Sequence, residues 1–366
     1  MNQLVIIGNG FDLAHNMKTG YSDFMLWYLN KIIRPDREIR FFDADIDLVW
    51  LHYEFFNTSQ YTDIGEALYY LNSKIRSVSF NKFFKKLIDN YNEAKWVDIE
   101  IAYFNELYAL LESSIKSNTY LLDKHYIGRV KVLNSSLDLI KNNLEEYLSE
   151  VDKNDIACIP EIKTHLNDIF KLTGRNNTGE SVHFLNFNYT STLEKYFKEG
   201  KLEIDDKLFT INHIHGEINN KNNPVIFGYG DEMNPFYTDI ENFNENELTR
   251  NLKSFHYLLS SNYQDLFDFI EEGEFDVTIM GHSCGLSDRV LMNSIFQHKN
   301  MKEIQINYHN KRNGRYDNDF FEKTQNISRY FDSQSKHLMR YKIVPLSKCS
   351  PLVKIKSKGK VLSLQE

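Results

Sequence analysis

Val182-His183-Phe184-Leu185-Asn186-Phe187-Asn188-Tyr189-Thr190 runs from an apolar stretch straight into a polar loop, and Leu208-Phe209-Thr210-Ile211-Asn212-His213-Ile214-His215-Gly216 does so again. Val182, Phe184 and Leu185 suit a buried strand, and the Asn/Thr/Ser group after them suits a strand-to-helix turn. Leu193, Tyr196 and Phe197 then recur at helical spacing. The expected order is strand, polar elbow, helix. Alternation along the second run puts His213 and His215 on one face of their strand. In an open α/β sheet, ligands bind in the crevice outside the carboxyl ends of the strands, where both clusters would lie.

Outward from this centre, two more strand-loop pairs follow the same plan. Leu4 to Ile7 is a short apolar run that enters Gly8-Asn9-Gly10-Phe11-Asp12 at once, as a first strand enters a tight turn under a helix. The dinucleotide fingerprint fails here, because its third glycine would fall at Leu13. Asp12 reads either as a helix N-cap or as a ligand for a ribose hydroxyl or a polar ring edge. Phe275 to Met280 is a strand whose loop is Gly281-His282-Ser283-Cys284-Gly285-Leu286-Ser287-Asp288. Pro224 to Tyr229 reads as a strand before the glycine-rich, acidic loop Gly228 to Glu232. That loop is either an ordinary turn or a backbone drawn close to a ligand. Ile304 to Tyr308 and Tyr341 to Leu346 are further strands, and residues 236 to 272 read as helical, in the position of a lid.

Between Tyr21 and Gly174 the texture changes to long polar and aromatic stretches at helical spacing, such as Phe80, Phe83, Phe84, Leu87 and Ile88. We therefore expect residues 1–25 and 175–346 to form one discontinuous Rossmann-like domain with a mostly parallel sheet. Residues 26–174 would be a large helical insertion and 347–366 a C-terminal tail, with Thr173 to Gly179 as the linker back to the sheet. Within the insertion, Trp96-Val97-Asp98-Ile99-Glu100 carries two acids. They read as residues placed at the positive end of a helix that starts near Ile99.

With 43 Lys+Arg against 51 Asp+Glu, the formal charge of −8 argues against bulk capture of nucleic acid and leaves room only for a local basic groove. Lys299, Lys302, Lys311, Arg312 and Arg315 form such a patch, read as a solvated loop. Cys158, Cys284 and Cys349 offer neither a disulfide framework nor a zinc pattern, which fits a reducing cytoplasm. No stretch approaches the roughly 18 apolar residues of a spanning helix, so a soluble protein is expected, with no membrane partner.

Two chemistries compete on residues alone. His213-x-His215 is either half of a metal site, for which no carboxylate partner is evident, or a general base at His215 supported by His213. Gly281-His282-Ser283-Cys284-Gly285 also fits a Gly-x-Ser-x-Gly nucleophile elbow. Ser283 would then work with Asp317 or Asp319 and with His337 as a serine hydrolase.

The loops Gly8–Asp12, Asn186–Thr190, His213–Gly216 and Gly281–Asp288, with the Trp96-x-Asp-x-Glu100 segment, resemble the AbiH-type bacteriophage abortive-infection proteins over most of the chain. Over the sheet alone they are similar, more distantly, to sirtuin-like domains. The first resemblance implies a bacterial defence factor, held off until a phage trigger and regulated by an oligomer, a protein partner or the helical domain. The second implies NAD as substrate and no metal, with its nicotinamide–ribose bond cleaved by residues matching Asn188 and His215. On that resemblance Gly8, Asn9, Gly10, Phe11, Asp12, Asn186, Tyr189, Thr190, His213, Gly216, Gly228, Gly281, Ser283 and Asp288 would line the nucleotide site. Asn9, Asp12 and Thr190 depart from the sirtuin pattern and the deacetylase zinc cysteines are absent, so NAD hydrolysis is implied rather than deacetylation. Such cleavage leaves positive charge on the ribose. It calls for an amide to orient sugar or water and for a base that titrates near neutrality, such as His. A non-catalytic module that senses a nucleotide through the same loops is the third reading.

Overall fold

A computed structural model describes residues 1–33, 49–51, 60–73, 78–89, 96–117, 120, 122–173, 180–198, 209–311 and 317–354. The chain opens with β1 (Asn2–Ile7) and α1 (Asn9–Ala14). A helical stretch follows: α2 (Tyr21–Ile33), β2 (Val49–Leu51), α3 (Ile64–Ser73), β3 (Val78–Phe80), α4 (Lys82–Asp89), α5 (Trp96–Lys116), α6 (Lys124–Asp152) and α7 (Pro160–Thr173). It returns through β4 (Val182–Asn186), α8 (Lys195–Lys198) and β5 (Phe209–His213) to the short helices α9 (Pro235–Asn242), α10 (Asn246–Thr249) and α11 (Lys253–His256). The last part is α12 (Asn262–Glu272), β6 (Phe275–Met280), α13 (Arg289–Phe296), β7 (Met301–Asn307), α14 (Phe320–Ser328) and α15 (Lys336–Lys342).

β1 lies at the centre of a five-stranded, wholly parallel sheet ordered β5-β4-β1-β6-β7. The chain builds outward on one side of β1 and then crosses to the other, which is the Rossmann-like order with its switch point between β1 and β6. Alternation along β1 serves both faces. Leu4 and Ile6 join the core under α12, α13 and α14, while Val5 and Ile7 join the core under α1 and α7. Ile7 is level with Asn186 on β4 and with Met280 on β6, so three polar loops leave the sheet at one height.

A third core belongs to the helical body. In α6, Val130, Leu133, Leu137, Ile140, Leu144, Tyr147, Leu148 and Val151 are buried at helical spacing, and Asp123 caps the helix by accepting from the His125 and Tyr126 amides. The apolar cores cross the boundaries drawn from the sequence. α7 packs on the sheet through Ile162, Leu166 and Ile169, whereas Val225, Phe227, Tyr229 and residues of α9 and α10 pack into the helical body. Leu352, in the tail, joins the sheet core; residues 174–179 of the expected linker lie outside the described residues, as do 355–366.

Two expected strands are corrected. Pro224 to Tyr229 forms no ladder: Gly216, at φ +82°, turns the chain back so that Ile226 N–H reaches the His215 carbonyl at 2.7 Å, and Tyr229 bridges only Leu252. Of Tyr341 to Leu346, Tyr341 and Lys342 end α15; Ile343 alone bridges β7, and Pro345 has no N–H to continue a ladder. α5 also begins at Trp96 rather than near Ile99.

The β1 and β6 loops are locked backbone to backbone. Gly10 N–H donates to the Gly281 carbonyl at 2.9 Å, Gly281 sits at φ +76°, and a Cβ there would lie 2.1 Å from the Phe11 nitrogen. Gly281→Ala is therefore expected to cost at least about 1–3 kcal/mol in urea denaturation. A midpoint equal to that of the parent protein would contradict this packing.

Candidate active site

At the carboxyl end of β1, Asp12 is buried against the loop that follows β4. Thr190 Oγ1 donates to Asp12 Oδ2 at 2.6 Å, while Asp12 Oδ1 is buried with no hydrogen-bond partner. Gly8 holds the N-cap position of α1, so Asp12 is not the cap. Burial pushes its carboxyl up to about 6, against the hydrogen bond from Thr190. Asn188 is anchored beside it. Its amide N–H donates to Asn186 Oδ1 at 3.0 Å and its Nδ2 to the Gly8 carbonyl at 3.2 Å.

The two histidines have different jobs, because β5 ends at His213 and the turn after it carries His215 elsewhere. His213 faces acceptors with both ring nitrogens, the Asn188 carbonyl at 3.0 Å and Glu194 Oε1 at 2.5 Å. Both nitrogens must therefore donate, which makes the ring an imidazolium. Burial alone would lower its pKa, but Glu194 more than offsets this and the net shift is upward. With both of its nitrogens engaged by Asn188 and Glu194, His213 does not share a free face with His215. His215 bonds through Nε2 alone, to Asp288 Oδ1 at 2.8 Å and to the Tyr257 hydroxyl at 3.4 Å. That nitrogen must carry the proton, which leaves Nδ1 free. Burial and then the charge of Lys253 hold His215 below its ordinary 6.5, so it is neutral at pH 7.

Asp288 connects His215 to a buried ion cluster. Lys253 Nζ lies 2.9 Å from Asp288 Oδ1 and 3.0 Å from Glu100 Oε1, and the Lys253 side chain is 1% exposed. Tyr257 O–H donates to Asp288 Oδ1 at 3.3 Å, and Ser287 Oγ to Oδ2 at 2.8 Å. Two carboxylates thus share one ammonium. Burial would raise Asp288, but Lys253 and His215 hold it well below the usual carboxylate range. Burial pushes Glu100 up to about 7, despite Lys253. Glu100 is therefore a buried member of the site, not a residue placed for the helix dipole. The side chain of Asp98 lies outside the described residues. Gly228 N–H donates to Glu100 Oε1 at 3.3 Å, and Tyr189 O–H to the Ile226 carbonyl at 3.0 Å, which closes the cluster from above.

Several expected site residues do other work. Asn9 is occupied by Thr19, whose Oγ1 donates to Asn9 Oδ1 at 2.6 Å, and Phe11 is core, packed against His15 and Tyr196. The space above Gly8 is filled by His282, and that beside Gly216 by the Pro224 carbonyl. Ser283 is exposed, and left-handed φ falls at Gly281 and Cys284 rather than at Ser283. No hydrogen bond joins Ser283 to Asp317, Asp319 or His337; Asp319 pairs with Lys323, and His337 Nδ1 bonds the Gln334 carbonyl. The serine-hydrolase triad is therefore not assembled. Lys299, Lys302 and Lys311 each pair with a surface glutamate, while Arg312 and Arg315 lie outside the described residues.

Sequence reasoning missed Lys253, Tyr257 and Glu194. None carries a local signal, since Lys253 and Tyr257 sit in a stretch that reads as an ordinary amphipathic helix. A cavity of about 200 Å³ adjoins the cluster, lined in part by Gly230, Ser254, Tyr257, Tyr263, Asp288 and Leu291. Among the described residues no helix is long and apolar enough to cross a membrane.

Fold and site together define a Rossmann-like α/β protein whose polar residues gather at the carboxyl ends of its strands under a helical body. Residues 4–310 match the family described as Bacteriophage abortive infection AbiH, so the chain belongs to that family. Membership supports a role in defence against phage by abortive infection. No curated protein matches the chain.

Because the folded Asp12 carboxyl holds its proton up to about pH 6 against an ordinary 3.8, its contribution to stability is full below 3.8 and is lost as pH rises through 6. Between pH 4 and 8 the parent protein should lose roughly 2.5 kcal/mol relative to Asp12→Asn, measured by urea denaturation of both. Parallel pH profiles for the two proteins would refute the assignment.

Proposed function

We propose that this protein hydrolyses NAD at the nicotinamide–ribose bond, with His215 as general base and Asn188 orienting the ribose or the water. The observation that carries the reading is His215 itself, a neutral imidazole tied to a carboxylate through Nε2 with Nδ1 unengaged. In the reaction, water adds to the ribose anomeric carbon and gives its proton to His215 Nδ1. The carbon–nitrogen bond breaks and its electron pair returns to the nicotinamide ring, which leaves uncharged. The unpartnered Asp12 Oδ1 offers an acceptor for a ribose hydroxyl. The likeness of the polar loops to sirtuin-like domains adds the choice of substrate, and no resident metal is invoked.

The site is shut as it stands. Glu100, Lys253, His215 and Asp288 are all buried, and a cavity of about 200 Å³ lies below the range of roughly 300–1,000 Å³ typical of ligand pockets. NAD entry therefore requires the segment around Gly230 and Lys253–Tyr263 to move. An enzyme that destroys a common cofactor needs such a restraint until infection, released by an oligomer, a regulatory partner or a phage product.

Purified protein released from that restraint and incubated with NAD should yield nicotinamide and ADP-ribose on chromatography, with ATP and a simple ester unchanged. Asn188→Ala or His215→Ala should lower the rate by about 10²–10⁴. NAD bound but intact in the triggered protein would favour a nucleotide sensor instead, and no NAD binding at all would reject the reading.

A further inference from the structure

Resting on His215 as the base, we propose that Lys253, anchored by Glu100 of the helical body, is a positioning residue. It neutralises Asp288 and so keeps His215 uncharged, with Nε2 protonated and Nδ1 free. Asp288 Oδ1 is shared between His215 Nε2 at 2.8 Å and Lys253 Nζ at 2.9 Å. An aspartate alone would draw a second proton onto the imidazole, since an opposite charge at this range favours the charged form. The ammonium beside it supplies the balancing charge and repels that proton. Glu100 makes this arrangement durable. Lys253 is 1% exposed, a solitary ammonium is costly to bury, and α5 brings the second carboxylate to within 3.0 Å.

The groups facing His215 come from every neighbouring element. They are Asp288 ahead of α13, Lys253 of α11 with Glu100 behind it, Tyr257 stacked at 6.4 Å, Tyr189 at 6.3 Å, and His282, itself neutral since burial lowers it to about 4. Among them Lys253 is the cation in contact with Asp288. Access to the base and its charge state are thereby linked, because α11 carries Lys253 inward while Phe255, Leu258 and Leu259 just after it are exposed.

The test uses histidine-selective ¹⁵N labelling of the full chain, with the His215 signal assigned by its loss in His215→Asn. In the parent protein Nδ1 should show the shift of an unprotonated nitrogen and Nε2 that of a protonated one at pH 7. An Nδ1–H tautomer or an imidazolium in the parent protein overturns the proposal, whatever the variants do. In Lys253→Met, and in Lys253→Met/Glu100→Gln, which removes both ends of the outer ion pair, the His215 midpoint should rise by roughly one unit or more. NAD cleavage, where present, should then be lost at pH 7 and recover at higher pH. An unmoved midpoint in either variant, folded by circular dichroism, makes Lys253 a structural ion pair only. If the parent protein never cleaves NAD while His215 titrates as stated, the NAD reading falls and the role of Lys253 stands.

Discussion

A single buried ammonium ties the two halves of this protein together. Lys253 is reached by Glu100 from the helical body and by Asp288 from the loop after β6, and all three side chains are withdrawn from water. Removing one partner from such a group leaves an uncompensated buried charge, a penalty of about 3–5 kcal/mol. The positions of α5, α11 and the β6 loop are therefore interdependent. The helical body is part of the site because it supplies the Glu100 carboxyl that holds Lys253 at 3.0 Å.

A second constraint decides where a ligand can go. In a Rossmann-like sheet the crevice opens at the switch point, here between β1 and β6. Gly8 and Gly10 are instead packed against Gly281 and His282, with Gly10 N–H bonded to the Gly281 carbonyl. Glycines expected from the resemblance to line a nucleotide site serve the approach of one loop to another. The buried polar side chains Asp12, Asn188 and His215 lie past the ends of β1, β4 and β5 instead. Val225, Phe227, Tyr229, Phe236, Ile240, Leu248 and Leu252 share their apolar core with α5 and α6. Any opening of the site must therefore be felt by the helical body.

The strands of the sheet were legible because each is a short apolar run whose residues alternate between two covered faces, and each ends in glycine or small polar residues. Asn188, His215, Asp12 and Asp288 could be picked out for the same reason, as polar residues just past such runs. Pro224 to Tyr229 has the same local texture and is not a ladder strand, since its apolar residues are spent on the helical core and on a turn over His215. Local pattern reports burial. It does not report which neighbour does the burying.

By itself the sequence determined the class of fold and the order of the polar loops. These depend on periodicity and on residue chemistry, which are local. Only the tertiary structure decided that Glu194 raises His213 while burial and Lys253 lower His215, that Ser283 has no triad, and that Glu100 and Lys253 meet in one cluster. Those facts depend on which acceptors and charges meet across the chain, with Glu100 and Lys253 brought within 3.0 Å only by folding. A charge state in a buried site is set by such neighbours, and no window along the sequence contains them.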